Sequence, residues 1–304
     1  MWRERLQAAV VILFVLAIAG VVAFLLLRVD REAPSAKGPS PTPSNDIDSA
    51  AKDPIGRVSL SAGKGNLVVR VTAGSCAEAG GPKLELSENR GRSFHQILVP
   101  QIDEGSGISA ASPKARAIVF AEASSPLKLT VAAADTNCDV HRYTTTDGGV
   151  TWTQEDGKVG EWYVDPKTGG VVSPTGPTDV GCSGIVSLAP VRKATAKAFC
   201  ADGTIRGTTD RGATWVASGQ LPNATAAVFT GPNTGYATVS GPACKSRVYT
   251  TINGGLTWTP QGCVIKKFAL PALSGTDARL VAGGGGGVLL STNAGRTWRP
   301  SKMK

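Results

Sequence analysis

The chain has 304 residues, a formal net charge of +9 and 18% charged residues, with 37 glycines and 6% aromatics. That length accommodates one large β domain plus appendages. The six cysteines include no Cys-x-x-Cys pair and the only histidines are His95 and His141, so a Cys/His zinc site lacks ligands at the usual spacing, and neither metal nor cofactor is expected.

Residues 1–32 stand apart. An uncharged run extends from Ala8 to Leu27, and about 20 such residues span roughly 30 Å as a helix, enough to cross a bilayer core. A cleaved signal peptide is the rival reading. Its apolar core is usually shorter, and the small-x-small site Ala17-Ile18-Ala19 lies inside the run. The expectation is a cytoplasmic stub followed by an uncleaved transmembrane signal-anchor. Arg3 and Arg5 precede the run, and Arg28, Arg31 and Lys37 follow it, so flanking charge does not set the orientation. The cysteines do. An even number without metal-site spacing reads as disulfides, which require an oxidising compartment. The remainder of the chain is therefore expected outside the cytoplasm, on a single-pass protein of the cell membrane. Residues 33–54, rich in Pro, Ser and Ala, read as a partly extended linker.

Residues 55–304 carry an octapeptide five times, Ser/Thr-x-Asp/Asn-x-Gly-x-Thr/Ser-Trp/Phe. The copies are 87–94, 145–152, 208–215, 251–258 and 291–298. Asn89, Asp147, Asp210, Asn253 and Asn293 are turn residues whose side chains can bond the backbone ahead. Two places on, Gly91, Gly149, Gly212, Gly255 and Gly295 can take the positive φ of a tight hairpin. The closing rings, Phe94, Trp152, Trp215, Trp258 and Trp298, are expected to bury against a neighbouring sheet. A hairpin repeating every 40 to 60 residues or so marks a propeller or a similar array.

The octapeptide resembles the Asp-box, and the chain is similar to the Asp-box (BNR-type) β-propellers: sialidases, the sortilin luminal domain and the photosystem II assembly factor family. The resemblance implies an all-β propeller of four-stranded blades in which the box joins the third strand to the fourth. It implies no single chemistry, because those families share the box and not an activity.

Aligned on the boxes, each unit offers three earlier β-type runs. The innermost are 57–60, 117–120, 185–188, 226–229 and 267–270. The second strands are 67–71, 127–133, 196–199, 235–239 and 279–281, and the third are 84–86, 141–143, 204–206, 247–249 and 288–290. Five blades are recognisable. Residues 161–178 are extra, either an inserted hairpin or a sixth blade. Gly283 to Gly287 lacks the Lys-Ser/Thr ending of a phosphate loop and reads as a turn of the last unit.

In such blades the second turn and the link to the next blade open on one face, and the box turn opens on the other. By this alignment Cys76, Cys138, Cys182, Cys200, Cys244 and Cys263 all map to the face away from the boxes. The expected pairing, one of fifteen formally available, is Cys76–Cys138, Cys182–Cys200 and Cys244–Cys263. The same face gathers Lys83, His141, Arg142, Lys245, Arg247, Lys266 and Lys267, a basic rim suited to an anionic partner.

Catalytic parts are not legible. The resemblance to sialidases would imply an Arg-Ile-Pro phrase, three spaced arginines and a Tyr nucleophile activated by Glu. No Arg-Ile-Pro occurs. Tyr143 and Tyr249 hold equivalent repeat positions, and Tyr163, after Glu161-Trp162, has no place in the repeat. With two histidines no Ser-His-Asp set can be picked out, and few aromatics are free to stack bases, which argues against nucleic acid. The expected function is a membrane-anchored, extracytoplasmic, non-catalytic binding or assembly module for a protein partner. The alternative is a glycan-directed protein, hydrolytic or degenerate.

Overall fold

The computed structural model describes residues 58–63, 65–76, 81–101, 115–265, 270–276, 279–284 and 287–301. The apolar run 8–27, the linker, Lys266 and Lys267 lie outside the described residues. Among the described residues no helix is long and apolar enough to cross a membrane.

Six antiparallel sheets follow one another along the chain, each built from consecutive strands. Blade one is β1 (Val58–Ala62), β2 (Val68–Thr72), β3 (Lys83–Ser87) and β4 (His95–Ile97), and blade two is β5 (Ala117–Ala123), β6 (Leu129–Ala134), β7 (Val140–Thr145) and β8 (Thr153–Glu155). Blade three is shorter: β9 (Tyr163–Val164), β10 (Val171–Ser173) and β11 (Gly176–Thr178). Blade four is β12 (Ile185–Arg192), β13 (Thr195–Cys200), β14 (Thr204–Thr208) and β15 (Val216–Gln220); blade five is β16 (Ala224–Phe229), β17 (Gly235–Val239), β18 (Ser246–Thr251) and β19 (Thr259–Ile265). Blade six is β20 (Ala272–Thr276), β21 (Arg279–Gly284), β22 (Gly287–Ser291) and β23 (Arg299–Pro300). The extra segment is thus a sixth blade. The innermost strand of the last unit begins at Ala272, so Leu270 precedes it rather than ending it.

The leading strands β1, β5, β9, β12, β16 and β20 neighbour one another in that order, and β20 returns to β1. The ring is therefore a closed β-propeller. At the closure the Ala62 N–H donates to Ser274 Oγ at 2.8 Å, and Val68 of blade one packs on Val281 and Val288 of blade six, with Phe94 against them.

Each octapeptide makes the same turn. The first hydroxyl accepts the N–H of the fifth residue: Thr145 Oγ1 from Gly149 at 3.0 Å, and Ser87 Oγ from Gly91 at 2.7 Å. The Asp or Asn oxygen accepts the N–H of the seventh residue, 2.9–3.0 Å in every copy. In the Asp copies the seventh hydroxyl donates back to the carboxylate, and Thr151 and Thr214 hold Asp147 and Asp210 down to a pKa of about 2. In the Asn copies the polarity reverses, with Nδ2 donating to Ser93, Thr257 or Thr297.

The fifth-position glycines have φ between 77° and 95°. The fourth position is also left-handed in every copy, including Arg90, Arg211 and Ala294. The glycines have a second reason to lack a side chain: a Cβ on Gly149 would collide with Ile97 of blade one, and one on Gly295 would lie 2.8 Å from Val248 of blade five.

The closing rings sit at the seams between blades. Trp152 packs into the cluster of blades one and two and donates to Leu98 O at 2.9 Å. Trp258 meets Phe199 and Phe229 edge-on, and Trp298 joins the cluster of blades five and six. These rings are half-buried rather than buried as expected, because each closes its seam from the surface.

Candidate binding cleft between blades two and three

The three disulfides pair as the alignment predicts, Cys76–Cys138, Cys182–Cys200 and Cys244–Cys263, with Cα separations of 5.8, 5.5 and 6.0 Å. Cys76–Cys138 joins blades one and two. Cys263 lies within β19 rather than in the link beyond it.

Blade three breaks the regularity of the ring. Ser173 Oγ accepts the N–H of Thr175 at 3.2 Å, the contact that opens every octapeptide, and Thr175 Oγ1 donates to Arg211 O in the octapeptide of blade four. The β10–β11 turn therefore lies on the octapeptide face. The β9–β10 turn lies on the other, where Lys167 Nζ reaches Asn137 O at 3.5 Å. β9, β10 and β11 thus correspond to second, third and fourth strands. No strand pairs with the inner edge of β9 among the described residues, and residues 156–162 run irregularly in the chain position that an inner strand takes in the other blades. Trp162 anchors that stretch, buried edge-on against Trp215 with centroids 5.8 Å apart.

Five of the six seams hold an apolar cluster; among the described residues the seam between blades two and three does not. Its connections are polar. Arg142 Nη1 donates to Glu161 Oε1 and to Val159 O, both at 3.1 Å. Arg142 Nε lies 2.7 Å from Glu155 Oε2, an ion pair rather than an aligned hydrogen bond. A cleft of about 380 Å³ opens beside this network. Val140, Val159, Val172 and Pro177 give it apolar wall, and Asp139, Lys158, Tyr163, Asp165 and Lys167 give it polar edge. Lys158 is oriented by a 2.6 Å bond from Nζ to Thr175 O. Asp165 caps its turn, accepting from Lys167 N at 2.9 Å and Thr168 Oγ1 at 2.8 Å. Burial, then the Asp165 charge, raise the Tyr163 pKa above its ordinary value.

Of the seven basic residues singled out from sequence, the five described ones are not brought together, and Lys266 and Lys267 lie outside the described residues. Lys83 is exposed at the start of β3 in blade one, and Lys245 is exposed and Arg247 half-buried in blade five. His141 and Arg142, on β7, adjoin the cleft, but both meet carboxylates: His141 Nε2 lies 3.4 Å from Asp135 Oδ2, and Arg142 is shared by Glu155 and Glu161. The turns and links of this face also carry Asp135, Asp139, Asp165, Asp179 and Asp202. Its charge is therefore mixed. Lys158, Asp165 and Lys167 escape a search keyed to the repeat because they belong to the blade without a full octapeptide. Among the described residues no group of three or more His, Cys, Asp or Glu could hold a metal ion.

No protein-family model matches the chain, and no curated protein is similar to it in sequence. Among solved structures it is similar to YCF48 bound to a D1 peptide, with 17% identity, 80% of this chain and 65% of that one covered, and a TM-score of 0.33. YCF48 from Cyanidioschyzon merolae gives 15% identity, 80% and 68% coverage and a TM-score of 0.34. The GH74 enzyme of Niastella koreensis gives 20% identity, 81% and 38% coverage and a TM-score of 0.31. The chain thus spans less than two thirds of the peptide-bound YCF48 chain and little more than a third of the enzyme.

Proposed function

We propose that this chain is an Asp-box propeller, held outside the cytoplasm by residues 8–27, that acts as a non-catalytic binding module. In this reading a segment of a protein partner occupies the cleft between blades two and three. The observation that carries it is the interrupted seam: the one junction without an apolar cluster among the described residues opens a cleft of about 380 Å³, in the part of the chain that does not repeat. Apolar wall flanked by Lys158, Lys167, Asp139 and Asp165 suits an extended peptide carrying both charges. Tyr163 fits recognition better than nucleophilic attack, because a raised pKa keeps its phenol protonated near neutrality.

The test uses full-length protein in its membrane, with a photo-crosslinking amino acid at Tyr163 or at Lys83. A polypeptide adduct at position 163 and none at 83 supports the cleft. Equal labelling at both positions refutes it. Retention on a glycan array, or turnover of a fluorogenic sialoside, would replace this reading with the glycan-directed one. Protease added to spheroplasts checks the anchor: cleavage within residues 33–54 is expected, and a protected propeller would refute the outside location.

A further inference from the structure

The octapeptide face carries a second pattern. Where blade six meets blade one, a cleft of about 90 Å³ has an apolar floor of Leu67, Leu280 and Val281 and a rim of Arg90, Arg92 and Arg279, with no carboxylate in its lining among the described residues. Asn66 Oδ1 orients Arg90 by accepting from its Nε at 2.6 Å. Arg296 holds the same octapeptide position in blade six that Arg92 holds in blade one, and both are exposed. On the octapeptide of blade five stand Ile252, 80% exposed, and Leu256, 65% exposed. Acids on this side are Glu88 and Glu122, together with Asp147 and Asp210, whose carboxylates are tied into their own turns. Lys64 and Asp277, in neighbouring turns, lie outside the described residues.

Single aliphatic side chains at turn tips, on the face that also carries these guanidinium groups, do not make a dry protein–protein core. They match an anionic lipid interface, where cations meet headgroup phosphates and apolar tips enter the acyl boundary. We infer that this face docks on the anionic phospholipid surface of the membrane. Arg90, Arg92 and Arg279 take a headgroup phosphate, and Ile252 and Leu256 reach the acyl boundary. The inference rests on the anchor proposed above.

The experiment is hydroxyl-radical footprinting of the full chain in nanodiscs of phosphatidylcholine alone or of an equal mixture with phosphatidylglycerol. Oxidation of Ile252 and Leu256 should fall about five-fold in the anionic discs, while Val186, near the opposite end of blade four, is unchanged. Raising salt to about 1 M, where the Debye length is near 3 Å, should restore oxidation. The Arg92→Glu/Arg296→Glu variant should also restore it, whereas Lys83→Glu/Lys245→Glu, on the other face, should not. Oxidation in both discs at the high-salt level overturns the docking, and equal protection in both, below that level, overturns its dependence on anionic lipid. A chain that co-elutes with discs but stays unprotected refutes the docking and leaves the anchor standing. One that co-elutes with neither disc refutes both.

Discussion

Gly149→Ala isolates the contact between an octapeptide and the blade before it. Two costs act on the variant. Gly149 has φ +88°, and a residue with a Cβ loses about 1–2 kcal/mol in the left-handed region. The new methyl would also collide with Ile97 Cγ2 and lie 3.5 Å from the Trp152 ring. Ile97 is buried and cannot swing into solvent, so overpacking adds about 1–3 kcal/mol. Gly255 is the comparator. It holds the same position in blade five with φ +95°, but its nearest neighbour, Phe229 Cζ, would be 3.6 Å from the added carbon. Gly255→Ala therefore carries only the backbone cost. Restricting the unfolded chain favours alanine by about 0.4–1 kcal/mol at both sites and cancels in the comparison. Urea unfolding followed by tryptophan fluorescence, with disulfides intact, should place Gly149→Ala about 1–3 kcal/mol below Gly255→Ala. Equal losses would refute the seating of the glycine against blade one. No loss in either would refute the positive φ itself.

Arg211→Gly should stabilise by about 0.5–1 kcal/mol, since it relieves a left-handed residue at some cost in unfolded-state entropy; a lower melting temperature would contradict this. Because the folded pKa values of Asp147 and Asp210 are depressed from 3.8 to about 2, their contribution is complete above pH 4 or so and is lost as pH falls toward 2. Asp147→Asn/Asp210→Asn, which copies the other three octapeptides, should flatten acid unfolding over that window, and an unchanged acid limb would count against the hydrogen bonds from Thr151 and Thr214. Breaking the Cys76–Cys138 link, which spans 62 residues, should cost about 4 kcal/mol against about 3 for either of the bonds spanning 18 and 19 residues. Denaturation of paired Cys→Ser variants measures that order, and non-reducing peptide mapping checks the connectivity.

Much of the fold is legible in the octapeptide because hydroxyl, carboxamide, glycine and ring each meet a fixed demand of one turn. That alignment locates the second and third strands of five blades and, through them, all three disulfides. Blade three escapes it. Its turn keeps Ser173, Thr175 and Gly176 but has no closing ring, and Trp215 of the next blade meets Trp162 edge-on instead. The Ser-x-Thr-Gly remnant was the available signal. The left-handed fourth position is also hidden, because the chain tolerates Arg90, Arg211 and Ala294 there. The mixed charge of the cysteine face comes from aspartates such as Asp135, Asp165 and Asp202, which bond the backbone of their own turns. A tally of cations passes over them. The cleft could not be read from spacing at all, since most of its lining comes from residues 157–177, which carry no full octapeptide.

Ring closure sets an order in time. Every blade pairs strands that are consecutive in the chain, whereas the bond from Ala62 to Ser274 spans 212 residues. A chain that emerges from its amino end can complete blades one to five while one flank of the first, with Val68 and Phe94, still lacks its cover. That cover arrives only with Val281 and Val288. Synthesis or export that stalls before blade six would leave an open arc with bare apolar surface at its oldest end, free to join the wrong neighbour.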